Sequence, residues 1–180
     1  MSGIDTKKML ESIMQDVRVE LLEEYDRNFE RKAFFSRKWA RAKADPGRGT
    51  LMMRSGALRR SIKGRITGRR ITFSSDLPYA VIHNEGGQIV VTRRMKRFFW
   101  AMYYKHSGGS ASRRRAALTG DLAGFYKAMA LKKTGSRITI PQRQFVGSAP
   151  EVEALIRDVV EDNFKEWINS IQKQLKSIER

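Results

Sequence analysis

Apolar residues near both ends of the chain recur at three- and four-residue steps, which is the period of an amphipathic helix. The N-terminal series consists of Leu10, Ile13, Met14, Val17, Leu21, Tyr25 and Phe29, with charged residues between them. This pattern predicts one long helix from about Asp5 to about Phe35, which occupies residues 1–36 together with its flanks. Acidic residues dominate the exposed side of this predicted helix.

A second amphipathic stripe begins after Pro150, a residue suited to the first turn of a helix. Glu151 and Glu153 support the same start, because carboxylates stabilise helix N-termini. The apolar residues of the stripe are Val152, Leu155, Ile156, Val159, Val160, Phe164, Trp167, Ile168, Ile171, Leu175 and Ile178. We predict a helix over residues 150–178, long enough both to pack on the core of its own chain and to dock a neighbouring subunit.

Between these helices the apolar residues come closer to the two-residue alternation of strands. Residues 61–67 and 70–75 are predicted to pair through a turn at Gly68. Further strands are predicted at 79–83, 88–92 and 137–140, which together give a small antiparallel sheet over residues 55–92 and 136–148. Gly86 or Gly87 is expected at positive φ, because strand-like runs lie on both sides of the pair.

Residues 93–135 interrupt the sheet and carry two helical patterns. Met95, Phe98, Phe99, Met102 and Tyr103 form one pattern, and Leu118, Leu122, Phe125, Tyr126 and Met129 form the other. A helical hairpin beside the sheet accounts for both. The predicted fold is therefore α+β, a single domain over residues 1–180 whose N- and C-terminal helices pack on the antiparallel sheet.

Composition narrows the class of protein. The chain has 180 residues, 41% of them hydrophobic, which is enough for one modest core. It contains no apolar run of about 18 residues and no signal-peptide pattern, so we expect no membrane partner and synthesis in the cytoplasm. Cysteine is absent, which excludes disulfides, thiolate metal sites and a cysteine nucleophile.

The basic charge is concentrated in the middle of the chain. The net charge is −4 over residues 1–30, +23 over residues 31–149 and −2 over residues 150–180. This asymmetry indicates a polyanion, such as DNA, or a carboxylate-rich protein partner. The acidic first helix and the basic sheet would be complementary on adjacent copies of the chain, which favours the protein partner.

Arg113, Arg114 and Arg115 are the densest cationic run, and Trp100, Tyr103 and Tyr104 precede them. Arginines that contact phosphate and aromatics that stack on bases would suit nucleic acid. The alternative is that the aromatics form the buried face of a helix and the arginines form a solvated turn. The helical spacing of the aromatics favours burial for those three residues. Both interpretations of the three arginines stay open.

No residue pattern predicts catalysis, a metal or a cofactor. His83 lacks the further ligands that a metal needs, since the only other histidine is His106, and no Gly-x-Ser-x-Gly element is present. We therefore interpret His83 as a structural residue whose side chain hydrogen-bonds the turn backbone near Glu85 or Gly87. The Gly86-Gly87 pair is followed neither by Lys-Ser/Thr nor by a helix, so it does not predict a phosphate site.

Three short elements in a fixed order carry a family resemblance. The first contains Gly56, Leu58 and Ser61; the second contains Tyr79, His83, Gly86 and Gly87; the third contains Pro141, Arg143, Phe145 and Gly147. Together with Trp39 after the first helix, this order resembles the phage virion morphogenesis family, the tail-completion proteins of tailed bacteriophages. The long 93–135 insertion departs from the family pattern, so its role does not carry over.

The resemblance implies a structural virion protein rather than an enzyme, located at the neck or tail end and made in the cytoplasm of the bacterial host. It would complete the tail or join head to tail by oligomeric packing, with other copies of itself in a ring and with connector, head-adaptor or tail-terminator proteins as partners. The alternative from another class is a basic nucleic-acid-binding protein that uses the arginine-rich middle segment.

Overall fold

The computed structural model of the chain describes residues 6–42, 50–107 and 122–178. Its helices are α1 (Thr6–Arg31), α2 (Ala57–Arg60), α3 (Ala80–Glu85), α4 (Arg93–Ser107), α5 (Leu122–Leu131) and α6 (Pro150–Ile178). Its strands are β1 (Ala33–Phe34), β2 (Arg37–Lys38), β3 (Ile62–Thr67), β4 (Arg70–Ser75), β5 (Gly87–Val90) and β6 (Arg137–Ile140). Both long terminal helices and the α+β class are confirmed.

The strands do not form one sheet. Within the described residues they pair as three separate two-stranded sheets, β1–β2, β3–β4 and β5–β6. The β3–β4 hairpin is the one predicted from sequence, with Ile62 opposite Ser75, Ile66 opposite Ile71 and Gly68 in the turn at a φ of 59°. β5 pairs antiparallel with β6 and with neither strand of the β3–β4 hairpin, so the prediction that these strands join in one small sheet was wrong.

Two further boundaries differ from the sequence prediction. Helix α1 ends at Arg31 rather than near Phe35, because Lys32 and Phe35 adopt positive φ and turn the chain away from the helix axis. Residues 79–83 are not a strand, since they lie in and just before α3. The helix begins at Ala80, whose N–H donates to the Leu77 carbonyl at 3.0 Å, and it ends before Gly86, which has a φ of 74°.

The described contacts divide the chain into two compact units. The first unit contains Met1–Arg37, Arg59–Asp76 and Phe145–Arg180, and the second contains Lys38–Leu58 and Leu77–Gln144. The chain passes from one to the other at four places, so neither unit is a continuous piece of sequence. The single domain over residues 1–180 stays a prediction.

The core of the first unit lies between α1, α6 and the β3–β4 hairpin. Its buried residues are Ile13, Val17, Leu21, Tyr25, Phe34, Ala149 and Val152. Ile71 and Phe73 from β4 and the first turns of α6 pack against them. The Tyr25 and Phe73 rings meet edge to face with their centroids 5.1 Å apart. The apolar stripes predicted from sequence therefore face each other here.

Asn28 is a polar residue on the apolar side of α1, and it is fully buried. Its side-chain amide donates to the carbonyl of Phe145 at 3.2 Å. Its Oδ1 accepts from the backbone N–H of Phe35 at 3.0 Å and from the Arg31 guanidinium at 3.0 Å. One side chain thus satisfies a nearby backbone N–H and a carbonyl that is distant in sequence, a role that was not predicted.

The second unit contains α3, the β5–β6 pair and the α4–α5 helix pair. Tyr126 and Ala130 of α5 are buried, and α4 packs along α5 as the predicted helical hairpin requires. Val91 is fully buried next to β5, where its N–H donates to the Ser136 carbonyl at 2.8 Å. The predicted contact residues Arg113, Arg114 and Arg115 lie outside the described residues.

We expect Asn28→Ala to lower the free energy of unfolding by about 1–3 kcal/mol, because it leaves the buried Phe145 carbonyl and Phe35 N–H without a partner. Urea denaturation measures this. Gln15→Ala on the same helix is the matched control, since the Gln15 side chain is exposed and accepts an exposed hydrogen bond from Arg18. Equal stabilities of the two variants would contradict the role assigned to Asn28.

Candidate functional site

The turn after α3 is built around two glycines in backbone conformations that other residues resist. Gly86 has a φ of 74° and Gly87 a φ of 143°, so the predicted positive φ is confirmed at both. A Cβ on Gly86 would lie 2.8 Å from the backbone nitrogen of Gln142. A Cβ on Gly87 would lie 2.8 Å from the Cδ1 of Ile82. The turn therefore permits the 141–144 segment to pass directly against its backbone.

Arg143 holds that segment in place. Its backbone N–H donates to the carbonyl of His83 at 2.8 Å. Its buried guanidinium donates from Nε to the carbonyl of Ala40 at 3.0 Å and from a terminal nitrogen to the carbonyl of Arg41 at 3.3 Å. The second and third sequence elements thus meet at Arg143, together with the chain that follows Trp39.

Trp39 closes the same junction from the other side. Its indole Nε1–H donates to the carbonyl of Gln144 at 2.6 Å, and the side chain is buried. A buried tryptophan packs through its apolar ring, and the hydrogen bond of its indole N–H fixes the orientation of that ring. Trp39, Arg143 and the Gly86-Gly87 turn together form what we call the motif junction.

His83 lies at the edge of the motif junction as a half-buried side chain. Burial lowers its pKa below the ordinary value, and the nearby charge of Arg143 lowers it further. Tyr79 meets the imidazole edge to face, with 6.1 Å between ring centroids. The expected hydrogen bond from this side chain to the turn is not observed: within the described residues Nδ1 is buried without a partner, and it is the backbone carbonyl of His83 that is bonded.

The rest of the third element belongs to the first unit. Phe145 is buried, and its ring centroid lies 5.2 Å from that of Phe29. The carbonyl of Gly147, at a φ of 145°, accepts from the Tyr25 hydroxyl at 3.0 Å. Burial raises the pKa of Tyr25, so this hydroxyl stays protonated and remains a donor. Pro141, which begins the element in the second unit, is half-buried.

The first element is a turn followed by a short helix. Gly56 has a φ of 70°, and the Ser55 hydroxyl accepts from the N–H of Ala57 at 3.3 Å just before α2. Leu58 is buried. In the first unit, the hydroxyls of Ser61 and Ser75 lie 2.7 Å apart across the β3–β4 hairpin. Each of these residues shapes the backbone or packs.

Two ionic clusters on α1 were not predicted. Arg59 pairs with Asp26 and, at 2.7 Å, with Glu30, and these hydrogen bonds raise its pKa. Burial by itself would raise the pKa of Glu24, but the hydrogen bonds from Arg31 and Arg27 outweigh it and lower that pKa. The sequence held a signal for both Glu24 and Asn28. Each is a charged or amide residue on the side of α1 that carries the apolar stripe.

At these sites the side chains hydrogen-bond backbone groups, form ion pairs and pack against one another. In residues 6–42, 50–107 and 122–178, no three histidine or acidic side chains come together as a metal site. Asp76 bonds to Lys63, which lowers the pKa of Asp76, and Glu85 is exposed. No helix in the described part is long and apolar enough to cross a membrane.

The three sequence elements thus position backbone within an α+β fold. Comparison with protein families shows that the sequence matches the phage virion morphogenesis family over residues 4–165. The chain belongs to this family, which gives it a virion-associated role in phage assembly. Comparisons with curated proteins and with solved structures gave no match.

Alanine substitutions at three glycines should distinguish the cost of backbone strain from the cost of a steric clash. We expect Gly86→Ala to lower the free energy of unfolding by about 1–3 kcal/mol, since it adds a clash with the Gln142 backbone to the strain of positive φ. Gly87→Ala should cost less, because it meets only the end of the flexible Ile82 side chain. Gly135→Ala, at a φ of 86° with open space around it, is the control for strain alone. If thermal melting showed that Gly135→Ala destabilises the protein as much as or more than Gly86→Ala, it would contradict this.

The lowered pKa of His83 predicts a pH-dependent contribution to stability. The folded protein binds this proton less readily than the unfolded chain, so the stability is fully present above about pH 6.5 and declines as the pH falls from there toward the lowered folded value. We expect the stability difference between wild type and His83→Gln to shrink over that range in urea titrations. His106 and the carboxylates are the same in both proteins, so parallel stability curves would refute the assignment.

Proposed function

We propose that this chain is a tail-completion or head–tail joining component of a tailed bacteriophage, located at the neck or tail end of the virion. It acts by packing against further copies of itself and against neighbouring connector, head-adaptor or tail-terminator proteins. Membership of the virion morphogenesis family supports the assembly role. The observation that carries the oligomeric mechanism is the apolar stripe of α6, which continues beyond the core of its own unit.

The first turns of α6 are used within the chain. Leu155, Ile156, Val159 and Val160 pack against the core cluster of the first unit. The same stripe then continues through Phe164, Ile168 and Leu175, which are 40%, 47% and 57% exposed. The segment 161–178 adds about 27 Å of helix beyond the packed turns. Large apolar side chains repeated on one face of such a helix are typical of an interaction surface.

The first unit also presents an apolar groove that could receive such a stripe. It has a volume of about 570 Å³ and lies between α1, β4 and the start of α6. Leu10, Met14, Ile71, Phe73, Ile156 and Val160 are among its lining residues. We call Phe164, Ile168 and Leu175 the distal stripe of α6. We assign the distal stripe of a second copy as the occupant of the groove, because both surfaces are apolar and open and both belong to the first unit.

Such a contact is heterologous, since it joins two different surfaces of the same chain. Heterologous contacts repeat from copy to copy and close into a ring when the rotation allows it. A ring around the axis of the tail suits a protein that completes a tail or joins it to a head. The groove and the stripe would then be buried in every copy at once.

Mass measurement in solution tests the oligomer. Phe164→Ser, Ile168→Ser and Leu175→Ser in one protein should convert the wild-type oligomer to a smaller species, measured by light scattering after size-exclusion chromatography. The control changes Glu166, Asn169 and Lys173 to Ser, three exposed positions on the opposite side of the same helix. It should keep the wild-type mass. Circular dichroism verifies that α6 remains folded in both.

The measurement is repeated with a tail-terminator or head-adaptor protein present. A wild-type chain that stays monomeric both alone at about 100 μM and with these proteins would refute the oligomeric mechanism. An oligomer of unchanged mass in the Phe164, Ile168 and Leu175 variant would show that another surface holds the copies together. Labelling of whole particles that locates the chain away from the neck and tail end would refute the proposed position.

A further inference from the structure

We propose that the exposed face of α4 binds the phosphate backbone of nucleic acid. This inference is independent of the oligomeric mechanism, because α4 belongs to the second unit, whereas the groove and the distal stripe of α6 belong to the first. We call this surface the α4 basic face and define it by Arg93, Arg94, Arg97, Phe98, Tyr104 and Lys105.

The orientation of α4 is set by its inner side. Thr92 caps the helix, its hydroxyl accepting from the N–H of Met95 at 3.2 Å. The Phe99 ring lies 6.5 Å from that of Tyr126 in α5, and the His106 ring stacks on Tyr126 at 5.5 Å. Lys127 of α5 lies over the Tyr103 ring. Because the apolar side of α4 packs on α5, the opposite side must face away from α5.

The α4 basic face consists of two short rows. Arg93, Arg97 and Tyr104 follow one another at steps of four and seven residues, and Arg94, Phe98 and Lys105 do the same. All six are exposed. From Arg93 to Lys105 the face extends about 18 Å along the helix axis. Residues 93–107 contain no acidic residue, so the face carries one sign of charge.

The four cations of this face are unpaired within the described part of the chain. Within the described residues, Arg93, Arg94, Arg97 and Lys105 form neither an ion pair nor a side-chain hydrogen bond. In the first unit, by contrast, Arg27, Arg31 and Arg59 all pair with carboxylates of α1. The sequence of the second unit holds 18 Lys and Arg residues against three Asp and Glu, a net charge of +15 out of +17. Such a uniform surface fits an extended polyanion.

The exposed aromatics point to nucleic acid in particular. Phe98 is 55% exposed and Tyr104 is 67% exposed, each next to a cation in its row. Aromatic rings among phosphate-binding cations are the usual arrangement for stacking unpaired bases. An anionic membrane fits less well, because interfacial helices insert an apolar face and that of α4 is occupied by α5. An acidic protein would need an unbroken run of carboxylates of similar length.

Fluorescence anisotropy with labelled oligonucleotides of mixed sequence, one single-stranded and one duplex, tests the inference across a series of salt concentrations. Changing Arg93, Arg94, Arg97 and Lys105 together to Ser should weaken binding to both by at least about tenfold at low salt. It should also reduce the slope of log K against log salt by about 3–4 for the duplex. Phosphate contacts carry no base information, so sequence should matter little.

Substitution of the two exposed aromatics distinguishes binding of single strands from binding of duplex. Phe98→Ala with Tyr104→Ala should weaken single-strand binding by about 5- to 150-fold for each base stacked and leave the duplex nearly unaffected. An equal, small effect on both forms would assign the face to duplex backbone alone. That outcome upholds phosphate binding and removes the stacking role.

A charge-matched control changes Arg54, Lys132, Lys133 and Arg137 to Ser, four exposed cations of the same unit outside α4. It should keep most of the affinity and of the salt slope. An equal loss in this control would show that net charge rather than the α4 face binds, and would overturn the inference. So would wild-type protein that binds neither oligonucleotide, or that binds polyglutamate or phosphatidylserine vesicles as tightly at the same salt.

Discussion

The backbone of residues 141–147 is the constraint on which the rest of the structure depends. This segment has no regular secondary structure, yet parts of it are buried, so its polar groups need partners from elsewhere in the chain. The bonds are Arg143 N–H to the His83 carbonyl, Trp39 to the Gln144 carbonyl, Asn28 to the Phe145 carbonyl and Tyr25 to the Gly147 carbonyl. Because an unpaired buried group costs about 1–3 kcal/mol, each of these bonds stabilises the conformation of its own part of the segment.

This constraint explains why the sequence elements of the family carry so little chemistry. Gly86 lacks a side chain because the Gln142 backbone passes where a Cβ would be. Arg143 is buried, and its guanidinium is used on the carbonyls of Ala40 and Arg41 rather than on a ligand. In the second unit these residues therefore fix the path of the backbone rather than present reactive groups.

Local patterns predicted the long terminal helices and the β3–β4 hairpin well, because their hydrogen bonds join residues close in sequence. The run at 79–83 was misassigned because aromatic and β-branched residues favour strands, whereas Pro78 before it and Gly86 after it delimit a helix of six residues. Pairing of β5 with β6 joins residues about fifty positions apart, so no local pattern could distinguish it from one continuous sheet. Asn28 was missed for the same reason, since its partner Phe145 is distant in sequence.

The sequence by itself determined the α+β class, the two long amphipathic helices, the positive φ of the glycine turn and, through its three ordered elements, the family. These follow from periodicity and backbone sterics, which act within a few residues. Only the tertiary structure decided that the strands form three separate pairs, that Arg143 bonds backbone carbonyls, and which cations remain unpaired. Those outcomes depend on burial and on partners from distant segments, because a charge or a polar group takes its role from what surrounds it after folding.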